Sequence, residues 1–229
     1  MDVRHIREEK KAEIRSLILG TARESLIREG YENFSLRNLA QRIGYSPAAI
    51  YRYFKSKNEI FASLTAESFE LLTKASSAVV AEVGEDPVSV LKRGMHAYIA
   101  FGLQHPDHYR IAFLLGGGEA KTLQRPRTAY ASLRARIERC IEARRFPPSD
   151  PDLLAQSLWA AVHGVTSLLV QRPSFPWVTP NKLADRVIDS AVDALLVDPQ
   201  AVFPGGENDN RNLSKNSTKR KLKRVPPRG

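Results

Sequence analysis

Residues 34–59, FSLRNLAQRIGYSPAAIYRYFKSKNE, decide how the chain folds. Ser35 is placed to cap a short helix by accepting a free backbone N–H. Phe34 before it and Leu39 within it have the spacing of a hydrophobic staple. Leu36, Leu39, Ala40 and Ile43 form one apolar stripe at helical period. Gly44 follows, the residue that ends a helix in left-handed geometry without a Cβ clash. Ser46 is placed to cap a second helix with Pro47 at its first position, where the missing N–H costs nothing. Ile50 and Phe54 turn one face inward, leaving Ala48, Ala49, Tyr51, Arg52 and Tyr53 to face elsewhere. Ser56-Lys57-Asn58-Glu59 reads as a capping box that opens a third helix.

Two short helices, a turn containing glycine and a second helix with small residues at its start make a helix-turn-helix. Such a unit lays the N-terminal end of its second helix in the DNA major groove. Ala48 and Ala49 allow close approach to the bases. Arg52 has the reach to fork onto a guanine edge or to grip a phosphate, and the Tyr51 and Tyr53 hydroxyls suit phosphate oxygens. Ser35, Arg37, Tyr45, Ser46, Pro47 and Lys57 complete the expected DNA-facing set. A small helical hairpin with packed tyrosines is the alternative without function.

The run LRNLAQRIGYSPAAIYRYFKSKNEIF resembles the DNA-binding region of the TetR/AcrR family of transcriptional regulators. Leu39-Ala40, Ile43-Gly44-Tyr45-Ser46, the five residues 50–54, Ser56-Lys57 and Ile60-Phe61 carry that resemblance. Ile43 departs from it, since alanine is commoner there in the family. The resemblance implies an all-α protein that binds a palindromic operator as a homodimer, with repression the family default. Lys57 at a helix start opposes the helix dipole, and a phosphate contact, which the resemblance also implies, would explain it.

Outward from this stretch, charge marks which parts meet a polyanion. Net charge is +10. Residues 1–60 hold 12 Lys/Arg against 8 Asp/Glu, residues 205–229 hold 8 against 2, and residues 61–204 hold 15 of each. Double-stranded DNA therefore suits the two ends of the chain and not its middle. The divisions expected are a DNA-binding domain over 1–60, a helical sensing and dimerisation domain over 61–204, and a disordered basic tail over 205–229. The tail is nearly free of large apolar groups, so burial cannot offset its ordering entropy. It is either dispensable or a non-specific DNA grip.

The start of the chain is charged and lacks the apolar core of a secretory signal. Leu158 to Val170, the longest apolar run, is too short to span a bilayer, so a soluble, cytoplasmic protein with no membrane partner is expected. One cysteine, Cys140, allows no internal disulfide and fits a reducing compartment as a small buried filler. The five histidines show no metal-binding spacing and no nucleophile motif is present, so neither catalysis, metal nor cofactor is expected.

Periodicity predicts helices over 8–29, with Gly30 as stop, and over 57–83. Further helices follow at 88–103, 107–115, 128–145, 149–171 and 180–197. The charged run Glu8, Glu9, Lys10, Lys11, Glu13 and Arg15 reads as a solvated face, with Arg4, Arg7, Lys10 and Lys11 as a possible DNA-reaching arm. Gly116, Gly117 and Gly118 read as a connector, because no strand precedes them and no Lys-Ser/Thr follows. Selective operator binding needs two recognition helices one duplex turn apart, about 34–36 Å, and hence a self-complementary surface. The expected interface uses Leu158, Ala161, Val162, Val165 and Leu169 of one helix with Val187, Ile188, Ala191, Val192 and Leu195 of the last. The resemblance implies that two helices from each subunit form it.

Trp159, His163 and Gly164 form a W…HG pattern which, with HPDHYRIAFLL at 105–115, resembles a sensor type found in the C-terminal half of the family. His163 is either a satisfied core histidine or a ligand contact. Met95, Tyr98, Phe101, Phe113, Leu114 and Trp159 are spaced to line a cavity for a small apolar effector, or simply to pack. The function expected is a ligand-responsive regulator, with a ligand-independent architectural or cell-cycle DNA-binding protein as the alternative.

Overall fold

In a computed structural model of the chain, residues 3–115 and 127–197 are described. Gly116, Gly117, Gly118 and the basic tail 205–229 lie outside them. Ten segments follow in order. They are α1 (Val3–Asn33), α2 (Leu36–Arg42), α3 (Pro47–Tyr51), α4 (Lys57–Ser77), α5 (Pro87–Gln104), α6 (Pro106–Tyr109), a π-helical turn (Arg110–Leu114), α7 (Arg127–Glu142), α8 (Pro151–Gln171) and α9 (Pro180–Asp193). No strand occurs among the described residues, and the fold class is all-α.

The caps form much as the sequence predicts. Ser35, Ser46 and Ser56 each accept the N–H three residues on, from Asn38, Ala49 and Glu59, at 3.2 Å. Gly44 has φ 71°. It closes α2 with paired bonds from Gly44 N to Gln41 O (3.3 Å) and Tyr45 N to Ala40 O (2.9 Å), the double bond of a Schellman ending. The capping box is shifted by one position. Glu59 accepts from Lys55 N at 2.7 Å, one residue before the cap.

Two apolar cores result. The first joins Ile18, Ala22 and Leu26 of α1 to Leu39, Ile50, Phe54, Ile60 and Leu64. The second packs α4, α5, α7, α8 and α9 around Leu91, Met95, Tyr109, Ile137, Val162 and Ile188. Cys140 lies in this second core, and burial pushes its thiol up to about 12. α9 is tied to α5 by charge as well. Lys92 bonds Asp189 and Asp193 at 2.7 Å each, and His96 meets Asp185 at 3.4 Å.

Several boundaries differ from the sequence reading. α1 runs to Asn33, broken at Gly30 (φ 77°). α4 stops at Ser77 rather than Val83. Val80 and Val83 beyond it are exposed, so two β-branched residues without packing partners give no reason to extend a helix. Arg15, expected on a solvated face, instead spans three elements. It donates to Tyr53 O (3.4 Å) and Ser63 Oγ (3.2 Å), with its guanidinium 4.2 Å from the centre of the Phe54 ring. α8 is a 21-residue helix, long and apolar enough by length and composition to cross a membrane. Its inner face is buried in the second core, the placement of a core helix.

The crossing of α5 and α8 is tight at Gly102. A Cβ on Gly102 would stand 2.2 Å from Thr166 Cγ2 and 3.1 Å from Tyr109 Cδ2. Thr166 is itself buried and bonded to Val162 O at 2.6 Å, so it has no room to yield. Overpacking of this kind costs about 1–3 kcal/mol, against roughly 1 kcal/mol gained in helix propensity. Gly102→Ala should therefore lower the urea midpoint with an unchanged m-value.

Candidate functional site

The DNA-facing residues predicted from sequence gather at one end of the first core. Ile50 and Phe54 are fully buried, and they hold α3 against α1, α2 and α4. The opposite face of α3 is open. Tyr51 is 55% exposed. Pro47, Ala48 and Arg52 are exposed, and Ala49 and Tyr53 are half-buried. Tyr45 and Ser46 in the turn and Arg37 on α2 share the exposure, while Ser35 is half-buried. Arg52 forms the C-cap of this five-residue helix, so its side chain springs from the end away from Pro47. Neither the Arg37 nor the Arg52 side chain has a hydrogen-bond or ion-pair partner among the described residues.

Lys57 behaves differently. Its ammonium lies 4.5 Å from the centre of the Tyr31 ring and 3.4 Å from Tyr31 O. The carbonyl and the ring face stabilise the cation at the start of α4, so no phosphate is needed to account for it. Tyr31 in turn bonds Asn58 through its hydroxyl, which ties the end of α1 to the first turn of α4.

The second core contains a cavity of about 150 Å³. Four of the six predicted lining residues surround it, namely Met95, Tyr98, Phe113 and Trp159. Phe101 and Leu114 do not. Phe101 is packed in the core and stacks near His105, their ring centres 5.8 Å apart, and Leu114 lies at the end of the π-helical turn. Sequence reasoning missed Phe69 and Leu72 of α4, Val162 of α8, and Tyr130 and Arg136 of α7. Their helical spacing signalled burial but could not tell a core wall from a cavity wall.

His163 is a satisfied histidine outside the cavity lining. The hydroxyls of Tyr98 and Tyr109 reach its Nδ1 at 2.9 and 2.8 Å, and Tyr109 also donates to His163 O at 3.2 Å. Trp159 Nε1 donates to Tyr98 Oη at 3.4 Å. Nδ1 is thus within hydrogen-bond reach of two hydroxyls, and burial lowers the His163 pKa. The same burial pushes the Tyr98 phenol up to about 12. Among the described residues no group of three His, Cys, Asp or Glu side chains could hold a metal ion.

The residues expected to pair subunits need correction. Leu158, Val162, Val165, Leu169, Ile188 and Val192 are buried within the single chain. These six form its own second core and leave little surface for a partner, whereas Leu195 is only partly buried against that core. α8 is apolar on both sides, so its stripe alone did not say which side faces outward. The outward side carries Leu153, Ala160, Gly164 and Leu168.

His108 also has a lowered pKa, through burial first and then the nearby Arg23. An unfolded histidine takes its proton near pH 6.5, whereas these two do so only at lower pH. As pH falls through that range the unfolded state binds more protons, so stability drops. The urea midpoint should fall between pH 7.5 and pH 5.5, and His163→Gln should make the fall shallower.

The chain matches two family descriptions. Residues 18–64 match the bacterial regulatory proteins of the tetR family, and residues 91–195 match the tetracyclin repressor-like C-terminal domain. Among solved structures, the TetR family transcriptional regulator PfmR from Thermus thermophilus is 26% identical, with TM-score 0.60 over 78% of this chain and 96% of that one. A tetR-family regulatory protein from Rhodococcus RHA1 is 20% identical, with TM-score 0.67 over 80% and 98%. A TetR family regulator from Marinobacter aquaeolei is 18% identical, with TM-score 0.61 over 84% and 98%. No curated protein matches the chain. The exposed face of α3 on its buried anchor and the helical half behind it are thus those of a DNA-binding regulator, and the chain belongs to the TetR family of transcriptional regulators.

Proposed function

We propose that this regulator is a cytoplasmic repressor that grips a palindromic operator as a homodimer and releases it when a small, largely apolar molecule enters the α4–α8 cavity. The observation that carries the reading is the open face of α3, with Tyr51 and Arg52 outward and Ile50 and Phe54 locked beneath. A helix packed only for stability has no use for that outward pair. Ala48 and Pro47 approach the bases, and Arg37, Tyr45, Tyr51 and Tyr53 position the module on phosphates. Residues 1–60 act as the DNA-binding part and residues 61–204 as the sensing and pairing part.

Pairing uses the outer stripe of α8, Leu153, Ala160, Gly164 and Leu168, with the half-exposed Val187 and Ala191 of α9. Small residues in the middle of the stripe let two copies of α8 approach closely, and leucines at its ends exclude water. The cavity favours this reading over a ligand-independent architectural protein, since its walls are apolar and reach from α4 to α8. An effector acts only through its different affinity for the DNA-binding and released states.

Selection of bound genomic fragments by the full chain should return few sites near promoters, each a palindrome. Many dispersed sites would favour the architectural reading, and retention of the operator across a screen of apolar metabolites would remove the effector. Arg52→Ala should weaken operator binding by roughly 1–3 kcal/mol if it reads a base, and weaken all DNA binding alike if it holds phosphate. Ala160→Glu with Leu168→Glu should give monomers in sedimentation and lose operator binding. A doubly substituted chain that stays dimeric would place the interface elsewhere.

A further inference from the structure

One cation reaches the cavity. α7 carries several arginines, and Arg134 is paired with Glu138 (2.7 Å) and Asp152 (3.2 Å). Arg136 has no carboxylate partner among the described residues. It is half-buried, and burial lowers its pKa, followed by the proximity of Arg139 and Arg93. A guanidinium remains charged regardless. Its Nη2 donates to Ser76 O at 2.7 Å and Val79 O at 3.2 Å, the carbonyls where α4 ends. A cation is well placed at a helix C-terminus, but two carbonyls use only one of its three nitrogens.

The other two nitrogens face Gly94 on α5. A Cβ there would stand 3.1 Å from Nη1 and 3.2 Å from Nε and Cζ. Gly94 and Arg136 both line the cavity, whose remaining walls are chiefly apolar, from Phe69 and Leu72 to Met95, Phe113 and Val162. An uncompensated charge beside an apolar space, with N–H donors left over, is suited to a counter-ion on an apolar body.

We infer that the molecule taken by this cavity is the anion of an apolar carboxylic acid, its hydrocarbon against Phe69, Met95 and Phe113 and its carboxylate on Arg136 Nη1 and, in competition with Ser76 O and Val79 O, on Nη2. This rests on the cavity being the effector site proposed above. It also supplies a coupling. The carboxylate competes with Ser76 O and Val79 O for the guanidinium, and those carbonyls close the sensor end of α4. The opposite end of α4 is capped by Ser56 and packed into the DNA-binding core. Ligand charge is therefore read where it can loosen the helix shared by both halves.

The test uses the full chain and matched probes, namely octanoate, decanoate, dodecanoate and 2-naphthoate against the corresponding alcohols, in titration calorimetry. At least one carboxylate should bind tenfold or more tightly than its alcohol. Arg136→Met should remove that preference while leaving alcohol binding intact, which also shows that the variant's cavity is folded. Arg136→Lys should keep part of the preference, since the charge remains without the planar fork. An alcohol that binds as tightly as its acid, or a preference that survives Arg136→Met, overturns the inference and leaves the effector reading standing. Binding by neither series overturns the inference too, and the operator-release screen then decides the reading beneath it.

Discussion

Tyr109 and Ile111 stand two residues apart and fill different cores. Successive helical residues turn by about 100°, so a two-residue step points side chains to nearly opposite sides, and this one short segment serves both halves of the molecule. Ile111 closes the core beneath the helix-turn-helix. Tyr109 closes the core behind the cavity and bonds His163 on α8. The step occurs where α6 passes into the π-helical turn, marked by the bond from Leu115 N to Arg110 O at 2.8 Å. A wider turn of this kind is rare and gathers at functional positions. Because interiors are close-packed, neither residue can shift far without disturbing the core it occupies.

The walls of the C-terminal half differ in kind, and the difference bears on what can move. α9 is held to α5 by an acidic edge, Asp185, Asp189 and Asp193, against His96 and Lys92. Most of these side chains are well exposed, and such pairs add little stability in water; they set the register of α9 while Ala184, Ile188 and Val192 supply the burial. α5 and α8 are held far more firmly. Gly102 meets Thr166 with no space between them, and Tyr98, Tyr109 and His163 satisfy one another in the interior. A connected, largely buried network of this kind favours one arrangement. α4 and α7 meet the cavity from the other side, and there the hydrogen-bonded link is the Arg136 guanidinium on two helix-terminal carbonyls.

Local signals were legible in the sequence and distant partnerships were not. Ser35, Gly44, Ser46, Pro47 and Ser56 act within five residues of themselves, so their roles can be read from neighbours alone, and all five behave as their chemistry predicts. Asp86 and Asp150 cap α5 and α8 for the same reason. Arg15 and Arg136 reach residues 38 to 60 positions away, and nothing in a helical wheel distinguishes them from solvated arginines. The cavity was half legible, because spacing identifies an inward side chain without saying whether another side chain fills the space before it. α8 was misread for a related reason, since apolar residues lie on both its faces and only packing chooses between them.

The charge of the DNA-binding half gains meaning once its partners are known. Arg23 pairs with Glu67 at 2.8 Å, Arg42 bonds Ser25 at 2.6 Å, Arg15 lies on Phe54, and Lys57 lies on Tyr31. These four cations are engaged in holding α1, α2 and α4 together. Arg37 and Arg52 are not, although both are exposed within a module that has acids to spare, including Glu24 and Glu32. Arg37 and Arg52, like Tyr45 and Tyr51, are left to solvent. A net charge of +4 over residues 1–60, 12 cations less 8 anions, therefore overstates the positive charge left to face outward, because four of those cations are committed to the protein's own packing.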